Sequence, residues 1–121
     1  MPAFHDNPLF WATLEQFVVS SELIVDRPKG SKHLHFPEIT YPLDYGFLQG
    51  TSAGDGEGID VWLGSSGSHE LTGIINTVDP EKRDAELKLL LGCSSEDIAA
   101  IQHFYNITAK MPCLILERGA M

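Results

Sequence analysis

The chain has 121 residues, of which 43% are apolar and 21% charged. This composition is typical of a single globular domain over residues 1–121 rather than of a disordered chain. The 17 acidic and 8 basic residues give a formal net charge of −9, whereas nucleic acids and anionic membranes are bound by clustered Lys and Arg. We therefore expect neither partner.

No apolar run approaches the roughly 18 residues that cross a bilayer. No secretory signal segment is recognisable, so a cytoplasmic location is expected. A chain this short buries only about two thirds of its unfolded surface, which makes a homo-oligomer compatible with its size. Cys93 and Cys113 lack the spacing of a zinc or CxxC site, and a disulfide framework is not expected.

The N-terminal part of the chain predicts a helix and then a strand. The capping residues Asp6 and Asn7 precede Pro8, an arrangement that commonly starts a helix. Apolar residues then recur at spacings of three and four, which predicts an amphipathic helix over 6–20. The segment 22–26 contains β-branched residues and predicts a strand.

The middle of the chain predicts short strands separated by turns rich in Gly and Pro. The turns and loops are expected at 27–38, 51–58 and 64–68. The strands are expected within 39–50, which Pro42 and two glycines interrupt, and at 59–63, 71–78 and 85–91. For the last of these a short helix is the less favoured alternative.

The C-terminal part predicts a second helix and a closing strand. Asp97 follows Ser94 by three residues, as in a capping box, and the helix is expected to reach about Tyr105. A strand is expected at 113–116. Because no parallel βαβ alternation is present, the prediction is an α+β fold: a small antiparallel, OB-like closed β-barrel with an N-terminal helix and a late C-terminal helix.

Three carboxylates in the turn before the 59–63 strand form the most informative segment. Asp55 and Glu57 point the same way in an extended chain, and the intervening glycines allow the chain to bend so that Asp60 joins them. Gathered carboxylates repel one another unless a cation neutralises them. The alternative is a solvated turn, because Asp-Gly is a common hairpin dipeptide.

A second acidic pair, Asp79 and Asp84, lies at the ends of a Pro-Glu-Lys-Arg turn. The two carboxylates could converge on the same cation from a neighbouring strand. They could equally serve as a cap and as a surface charge beside Lys82 and Arg83.

A loop of basic residues supplies candidate ligands for phosphate. Arg27, Lys29 and Lys32 accompany Gly30 and Ser31, and Arg and Lys bind phosphate oxygens well. A plain solvated loop is the alternative. The nearby histidines at positions 33 and 35 are possible metal ligands but lack a matching third one.

The order of these segments resembles that of the soluble (family I) inorganic pyrophosphatases over roughly residues 22–105. The motifs occur in the order RPKGS, Tyr-Pro-x-x-Tyr-Gly at 41–46, Asp55-x-Glu57-x-x-Asp60-Val61, the pair Asp79 and Asp84, and a late His103-Phe104. The order of the motifs is more specific than any motif alone.

The resemblance implies Mg²⁺-dependent hydrolysis of inorganic pyrophosphate to phosphate. In that case the metal would be held by Asp55, Asp60 and Asp84, with Asp79 assisting. Glu57 would accept a proton from the attacking water, and Tyr45 would act with Arg27, Lys29 and Lys32 on the phosphates.

Several positions depart from the family pattern. Glu57 stands where the family has aspartate, and Glu86 stands where it has lysine, with Lys88 two residues further on. The Tyr-Lys pair that follows the late helix is missing, and Lys110 is its only candidate substitute. These departures favour an alternative: a catalytically impaired protein of this fold that binds a phosphorylated ligand or a protein partner. The short segment before Tyr41 leaves room for another diphosphate, such as a nucleotide, as substrate.

Overall fold

A computed structural model of the chain describes residues 7–54 and 56–119. The helices are α1 (Pro8–Ser20) and α2 (Ser95–His103), and a π-helical segment, Phe104–Thr108, continues α2. The strands are β1 (Leu23–Arg27), β2 (Asp44–Leu48), β3 (Ile59–Leu63), β4 (Leu71–Asp79), β5 (Asp84–Leu91) and β6 (Cys113–Glu117). Neither helix is long and apolar enough, within these ranges, to cross a membrane.

Both helices begin where the sequence predicts. The Asn7 side chain accepts a hydrogen bond from the backbone N–H of Phe10 at 3.1 Å, and Pro8 occupies the first turn; Asp6 lies outside the described residues. Ser94 and Asp97 form the expected capping box at the start of α2. Such caps satisfy backbone N–H groups that have no partner within the helix.

The six strands form one sheet in the order β1-β2-β3-β5-β4-β6. Neighbouring strands are antiparallel except β3 and β5, which run parallel, because β5 turns back from β4 and inserts between β4 and β3. The α+β class is confirmed, but the closed, wholly antiparallel barrel is wrong. Within residues 7–54 and 56–119 β1 and β6 are the end strands and do not pair with each other.

The sheet has an apolar cluster on each face, so it buries both faces without closing. Trp11 and Leu14 of α1 pack on one face with Val61 and Leu89, whereas Trp62 of the same strand packs elsewhere. Successive strand residues point to opposite faces, so α1 and α2 cover opposite sides. The second cluster contains Trp62, Ile75 and Leu90 together with Ile98, Ile101, Phe104 and Tyr105 from α2 and the π-helical segment.

Close approach of β1 to β2 explains the glycine that follows Tyr45. A Cβ at Gly46 would collide with the backbone carbonyl of Ile24, so a larger residue would push β1 away. The glycine therefore keeps the strand that carries Tyr45 packed in the sheet. Among the large aromatic residues, Trp11, Trp62 and Phe104 are buried, whereas Phe47 is only partly buried.

Candidate active site

Four polar side chains from three adjacent strands meet on the face of the sheet that α2 covers. Tyr45 lies on β2, Asp60 on β3, and Glu86 and Lys88 on β5. Tyr45 pairs with Trp62, and the parallel register that aligns Trp62 with Leu90 also aligns Asp60 with Lys88, two residues earlier on each strand. Because side chains alternate with period two, all four share one face. We call these four residues the Lys88 cluster.

The Lys88 ammonium lies at the centre of this cluster. Its Nζ donates to Asp60 Oδ2 at 3.0 Å, to Glu86 Oε2 at 3.1 Å and to Tyr45 Oη at 2.9 Å. Tyr45 Oη in turn donates to Asp60 Oδ2 at 2.6 Å. An ammonium group has three donors, so these contacts use all of them and leave none for a substrate phosphate.

Burial makes the charge of Lys88 depend on its partners. The residue is only 4% exposed, and a buried charge is tolerated when it is paired and hydrogen-bonded. Burial on its own lowers the pKa of Lys88, but the Tyr105 oxygen and the carboxylates of Asp60 and Glu86 raise that pKa above its ordinary value. Lys88 is therefore a fixed cation at neutral pH and is unsuited to act as a base.

Tyr45 is held as a neutral hydroxyl inside the same network. Burial, followed by the nearby oxygens of Tyr105 and Asp60, raises the pKa of Tyr45 far above its ordinary value. Its ring packs edge-on against Trp62 at 4.8 Å between centroids, and Trp62 Nε1 donates to Tyr105 Oη at 3.1 Å. The structure therefore places Tyr45 in the cluster with its proton committed to Asp60.

The acidic pair that the sequence singles out lies beside the β4–β5 turn, where β4 ends and β5 begins. We call this end of the strands the edge of the sheet. Asp79 and Asp84 are directly opposite each other in the β4–β5 register, and Asp79 Oδ1 accepts the backbone N–H groups of Glu81 and Lys82 at 2.9 and 3.1 Å. Asp79 therefore caps the turn, and its backbone lies directly opposite that of Asp84.

The turn before β3 reaches the same edge. Because β3 and β5 run parallel, Glu57, just before β3, and Asp84, at the start of β5, lie at the same end of neighbouring strands. Glu57 is exposed, and Asp55 lies outside the described residues. Asp60 lies three residues after Glu57 along β3, where it contacts Lys88. The sheet thus arranges an outer pair of acids at its edge and the Lys88 cluster behind it.

The basic loop leaves β1 in the register row of Trp62 and Leu90, six residues along β5 from Asp84. Arg27 pairs with Tyr45 at the end of β1, and the Lys29 backbone N–H donates to Asp44 Oδ1 at 2.7 Å. The backbone of Lys32 forms an isolated antiparallel β-bridge with that of Thr40. The Lys29 and Lys32 side chains are exposed. Arg27 is half-buried, so Lys29 and Lys32 are the cations of this group that face solvent, which is compatible with phosphate binding.

His33, in the basic loop, is half-buried and hydrogen-bonded within that loop. Burial, then the charges of His35, Arg27 and Lys82, lower the pKa of His33, with Glu38 opposing them. His33 Nδ1 accepts the backbone N–H groups of His35 and Phe36 at 3.1 and 3.3 Å. That nitrogen is therefore occupied, which disfavours a metal site built on the two histidines.

The chain matches the model of a known protein family. The family model for inorganic pyrophosphatase matches residues 23–112, a span that includes every residue singled out above for catalysis, phosphate or metal binding. The chain belongs to the inorganic pyrophosphatase family. No curated protein matches the chain.

For a member of the inorganic pyrophosphatase family the expected cofactor is Mg²⁺, which prefers carboxylate oxygens. Within 7–54 and 56–119 no group of three or more His, Cys, Asp or Glu side chains could hold a metal ion. Asp79 and Asp84, which lie opposite each other, have the carboxylate oxygens that Mg²⁺ prefers as ligands. The inner position does not fit, because Asp60 Oδ2 already accepts hydrogen bonds from Lys88 and Tyr45.

Sequence reasoning did not place Lys88 and Glu86 at the centre of the site. A usable signal was present, because Lys88 stands among four leucines in the segment ELKLLL. A lysine in a strand that is otherwise buried on both faces needs a buried partner. Because side chains alternate with period two, Glu86 lies on the same face as Lys88. The other partner, Asp60, reaches Lys88 only because β3 pairs with β5.

Proposed function

We propose that this member of the inorganic pyrophosphatase family hydrolyses the phosphoanhydride bond of inorganic pyrophosphate in a Mg²⁺-dependent reaction. The observation that carries the proposal is the two-level arrangement of charge on one face of the sheet. Asp79 and Asp84 oppose each other at the edge, next to the turn of Glu57, and Lys88 with its carboxylates lies behind them.

Mg²⁺ would be held at the outer level by Asp79 and Asp84 together with Asp55. When bound, it would shield the charge of the phosphates and lower the pKa of a water molecule. The carboxylates there are negative without it, so pyrophosphate alone would be repelled from this edge. The cation requirement therefore follows from the charge of the chain's own residues.

The remaining roles belong to residues of the chain. Glu57, exposed at the turn before β3, would accept a proton from the attacking water. That water oxygen forms a bond to one phosphorus, the bridging oxygen leaves with the other, and two phosphates result. Arg27, Lys29 and Lys32 would bind the phosphate oxygens from the loop that follows β1.

Tyr45 acts in this proposal by positioning other groups. Its hydroxyl donates to Asp60 and accepts from Lys88, so it fixes the carboxylate and the ammonium relative to each other. Its burial and its committed proton leave it no free donor for a phosphate in this arrangement. This role differs from direct stabilisation of phosphate charge, which the resemblance implies for Tyr45.

A specific observation favours the second candidate function, a catalytically impaired protein that binds a phosphorylated ligand or a protein partner. Asp60 is paired with Lys88 at 3.0 Å, which withdraws one carboxylate from metal binding. A member of the family that has lost one of its metal ligands could still bind phosphates through the Arg27–Lys32 loop. Hydrolysis of another diphosphate, such as a nucleoside diphosphate, is the further alternative.

The test is phosphate release from pyrophosphate across a Mg²⁺ titration, with Glu57→Gln as the catalytic variant. Glu117→Gln is the matched control, because Glu117 pairs with Gly73 at the other end of β4 and is exposed. We expect release by the wild type and by Glu117→Gln, and a fall of about 100-fold in Glu57→Gln, as is typical for loss of a general base.

A wild-type rate no higher than that of Glu57→Gln, at every Mg²⁺ concentration, would remove the hydrolase proposal. Calorimetry with pyrophosphate and with nucleoside diphosphates would then separate the remaining candidates. Binding without turnover supports the impaired member, and turnover of a nucleotide alone supports the other hydrolase.

A further inference from the structure

The buried ammonium of Lys88 lies where two carboxylates converge. Its Nζ is 3.0 Å from Asp60 Oδ2 and 3.1 Å from Glu86 Oε2, and its side chain is only 5% exposed. Carboxylates that converge in a partly buried place need a cation to offset their repulsion. In this chain the cation is covalently part of β5.

We propose that the Lys88 ammonium takes the place of a divalent cation beside Asp60, so that the inner half of the site binds no Mg²⁺. The inference rests on the proposed function only for the location of the site. It assigns the divalent cation requirement of the chain to the outer pair, Asp79 and Asp84.

Three features of the inner site favour the ammonium over a metal ion. All three ammonium donors are used, by Asp60, Glu86 and Tyr45. Displacing Lys88 from Asp60 would leave a buried ammonium without that partner, which is strongly unfavourable. In addition, Mg²⁺ gives up its water molecules reluctantly. A partly buried site that a lysine already fills would compete poorly with that water for the ion.

The charge balance explains why the outer level still needs a cation. One ammonium offsets only one of the two carboxylates around it. The Asp60 and Glu86 side chains remain 29% and 21% exposed, and the β4–β5 register places Asp84 two residues before Glu86 on the same face. The excess negative charge therefore lies toward the sheet edge, where Asp79 and Asp84 are.

The alternative is that Lys88 makes an ordinary structural ion pair at a position that could never hold a metal. The two possibilities differ in what happens when the ammonium is removed and its space left open. If Lys88 stands in for a cation, Lys88→Ala creates a divalent site between Asp60 and Glu86. If the pair is only structural, Lys88→Ala loses stability and gains no response to metal.

The experiment measures Mn²⁺ and Mg²⁺ binding by calorimetry and thermal unfolding, without substrate. We expect Lys88→Ala to bind one more Mn²⁺ per chain than the wild type, and Mn²⁺ to raise its melting temperature more. Lys88→Met, which fills the space without a charge, and the double variant Lys88→Ala/Asp60→Asn should lack the extra ion. Lys110→Ala, at an exposed lysine, should match the wild type. Equal Mn²⁺ binding by Lys88→Ala and the wild type overturns the proposal.

A second measurement uses the wild type, in case Lys88→Ala does not fold. The ¹H–¹⁵N signals of lysine ammonium groups are recorded, and the Lys88 signal is identified by its loss in Lys88→Arg. We expect that signal to stay protected from solvent exchange in saturating Mg²⁺. Its disappearance on adding Mg²⁺ would show that the ion displaces Lys88 and would overturn the proposal. Neither measurement involves turnover, so the proposed hydrolysis can fail while this inference stands, and the reverse.

Discussion

At the residue scale, Tyr45 joins two of the three charged members of its cluster, Asp60 and Lys88, through one hydroxyl group. The hydroxyl donates to Asp60 Oδ2 at 2.6 Å and accepts from Lys88 Nζ at 2.9 Å. Its ring makes separate contacts, with Tyr41 at 5.6 Å and Trp62 at 4.8 Å between centroids. The hydrogen bonds of Tyr45 can therefore be removed while its ring packing stays.

We predict that Tyr45→Phe lowers the free energy of unfolding by about 1–3 kcal/mol, the cost of leaving buried partners short of a hydrogen bond. Tyr41→Phe is the matched control, because it removes a hydroxyl from the neighbouring ring, outside the Lys88 cluster. Urea denaturation of both variants measures the difference. Equal losses in the two variants would mean that the Tyr45 hydroxyl contributes nothing special.

Residue identity alone indicated some of the residues that the fold brings together. The motif order indicated Tyr45, Asp60, Asp79 and Asp84, and the structure places all four on one face of the sheet. It also suggested that Asp60 would be repelled by its acidic neighbours, whereas Asp60 is paired with Lys88. The pairing could not be read from the sequence, because it requires β5 to lie beside β3 as well as beside β4.

At the scale of elements, local patterns were sufficient for the strands and helices. Strands at 59–63 and 71–79 follow runs of β-branched and apolar residues, and the strand at 84–91 follows a run rich in leucine. Both helices start at their caps. The parallel contact of β3 with β5 has no local signal, since strand order is set by packing between distant segments. Continuous apolar runs likewise fit a sheet covered on both faces and a closed barrel equally well.

The start of α2 depends on one buried carboxylate. Asp97 Oδ2 accepts from the Ser65 and Ser94 backbone N–H groups, both at 3.0 Å, so it fastens the helix to the turn after β3. Burial alone raises the pKa of Asp97, but hydrogen bonds from Ser94 and Ser65 outweigh it and lower that pKa below its ordinary value of 3.8. The ionised form is therefore favoured in the folded chain.

We predict that Asp97→Asn lowers the free energy of unfolding by about 1–2 kcal/mol at neutral pH, as for loss of a helix cap. Because the pKa of Asp97 is lower in the folded chain than in the unfolded one, its contribution is present above pH 3.8 and is lost as the pH falls through the folded value. The difference between Asp97→Asn and the wild type should therefore shrink in acid. Chemical denaturation from pH 7 down to pH 3 measures it.

Glu96→Gln is the control for this helix, since Glu96 is an exposed acid in the same first turn. Its removal should cost about 0.5 kcal/mol or less, the usual size of an exposed charge near a helix N-terminus. A gap between Asp97→Asn and the wild type that stays constant down to pH 3 would contradict the assignment of Asp97 as an ionised cap.

At the scale of the whole molecule, the central strands link the two apolar clusters. Val61 and Trp62 of β3 belong to different clusters, as do Ile74 and Ile75 of β4 and Leu89 and Leu90 of β5, and α1 and α2 close the two faces. Loss of packing on one face would therefore disturb the strands that support the other. We expect the whole sheet, with the site between its strands, to unfold as a unit.

Two tryptophans allow this expectation to be measured, because Trp11 is 5% exposed on the α1 face and Trp62 is fully buried on the α2 face. Trp62→Phe leaves Trp11 as the fluorescent reporter, and Trp11→Phe leaves Trp62. Each variant is unfolded in urea while fluorescence and far-ultraviolet circular dichroism are recorded together. We predict that the two signals have the same midpoint within each variant, as a two-state transition requires.

Both substitutions remove buried aromatic volume and lower stability, so midpoints are compared within a variant and not between variants. A Trp11 fluorescence transition that precedes the circular dichroism transition would show that α1 leaves the sheet first and that the two faces unfold separately.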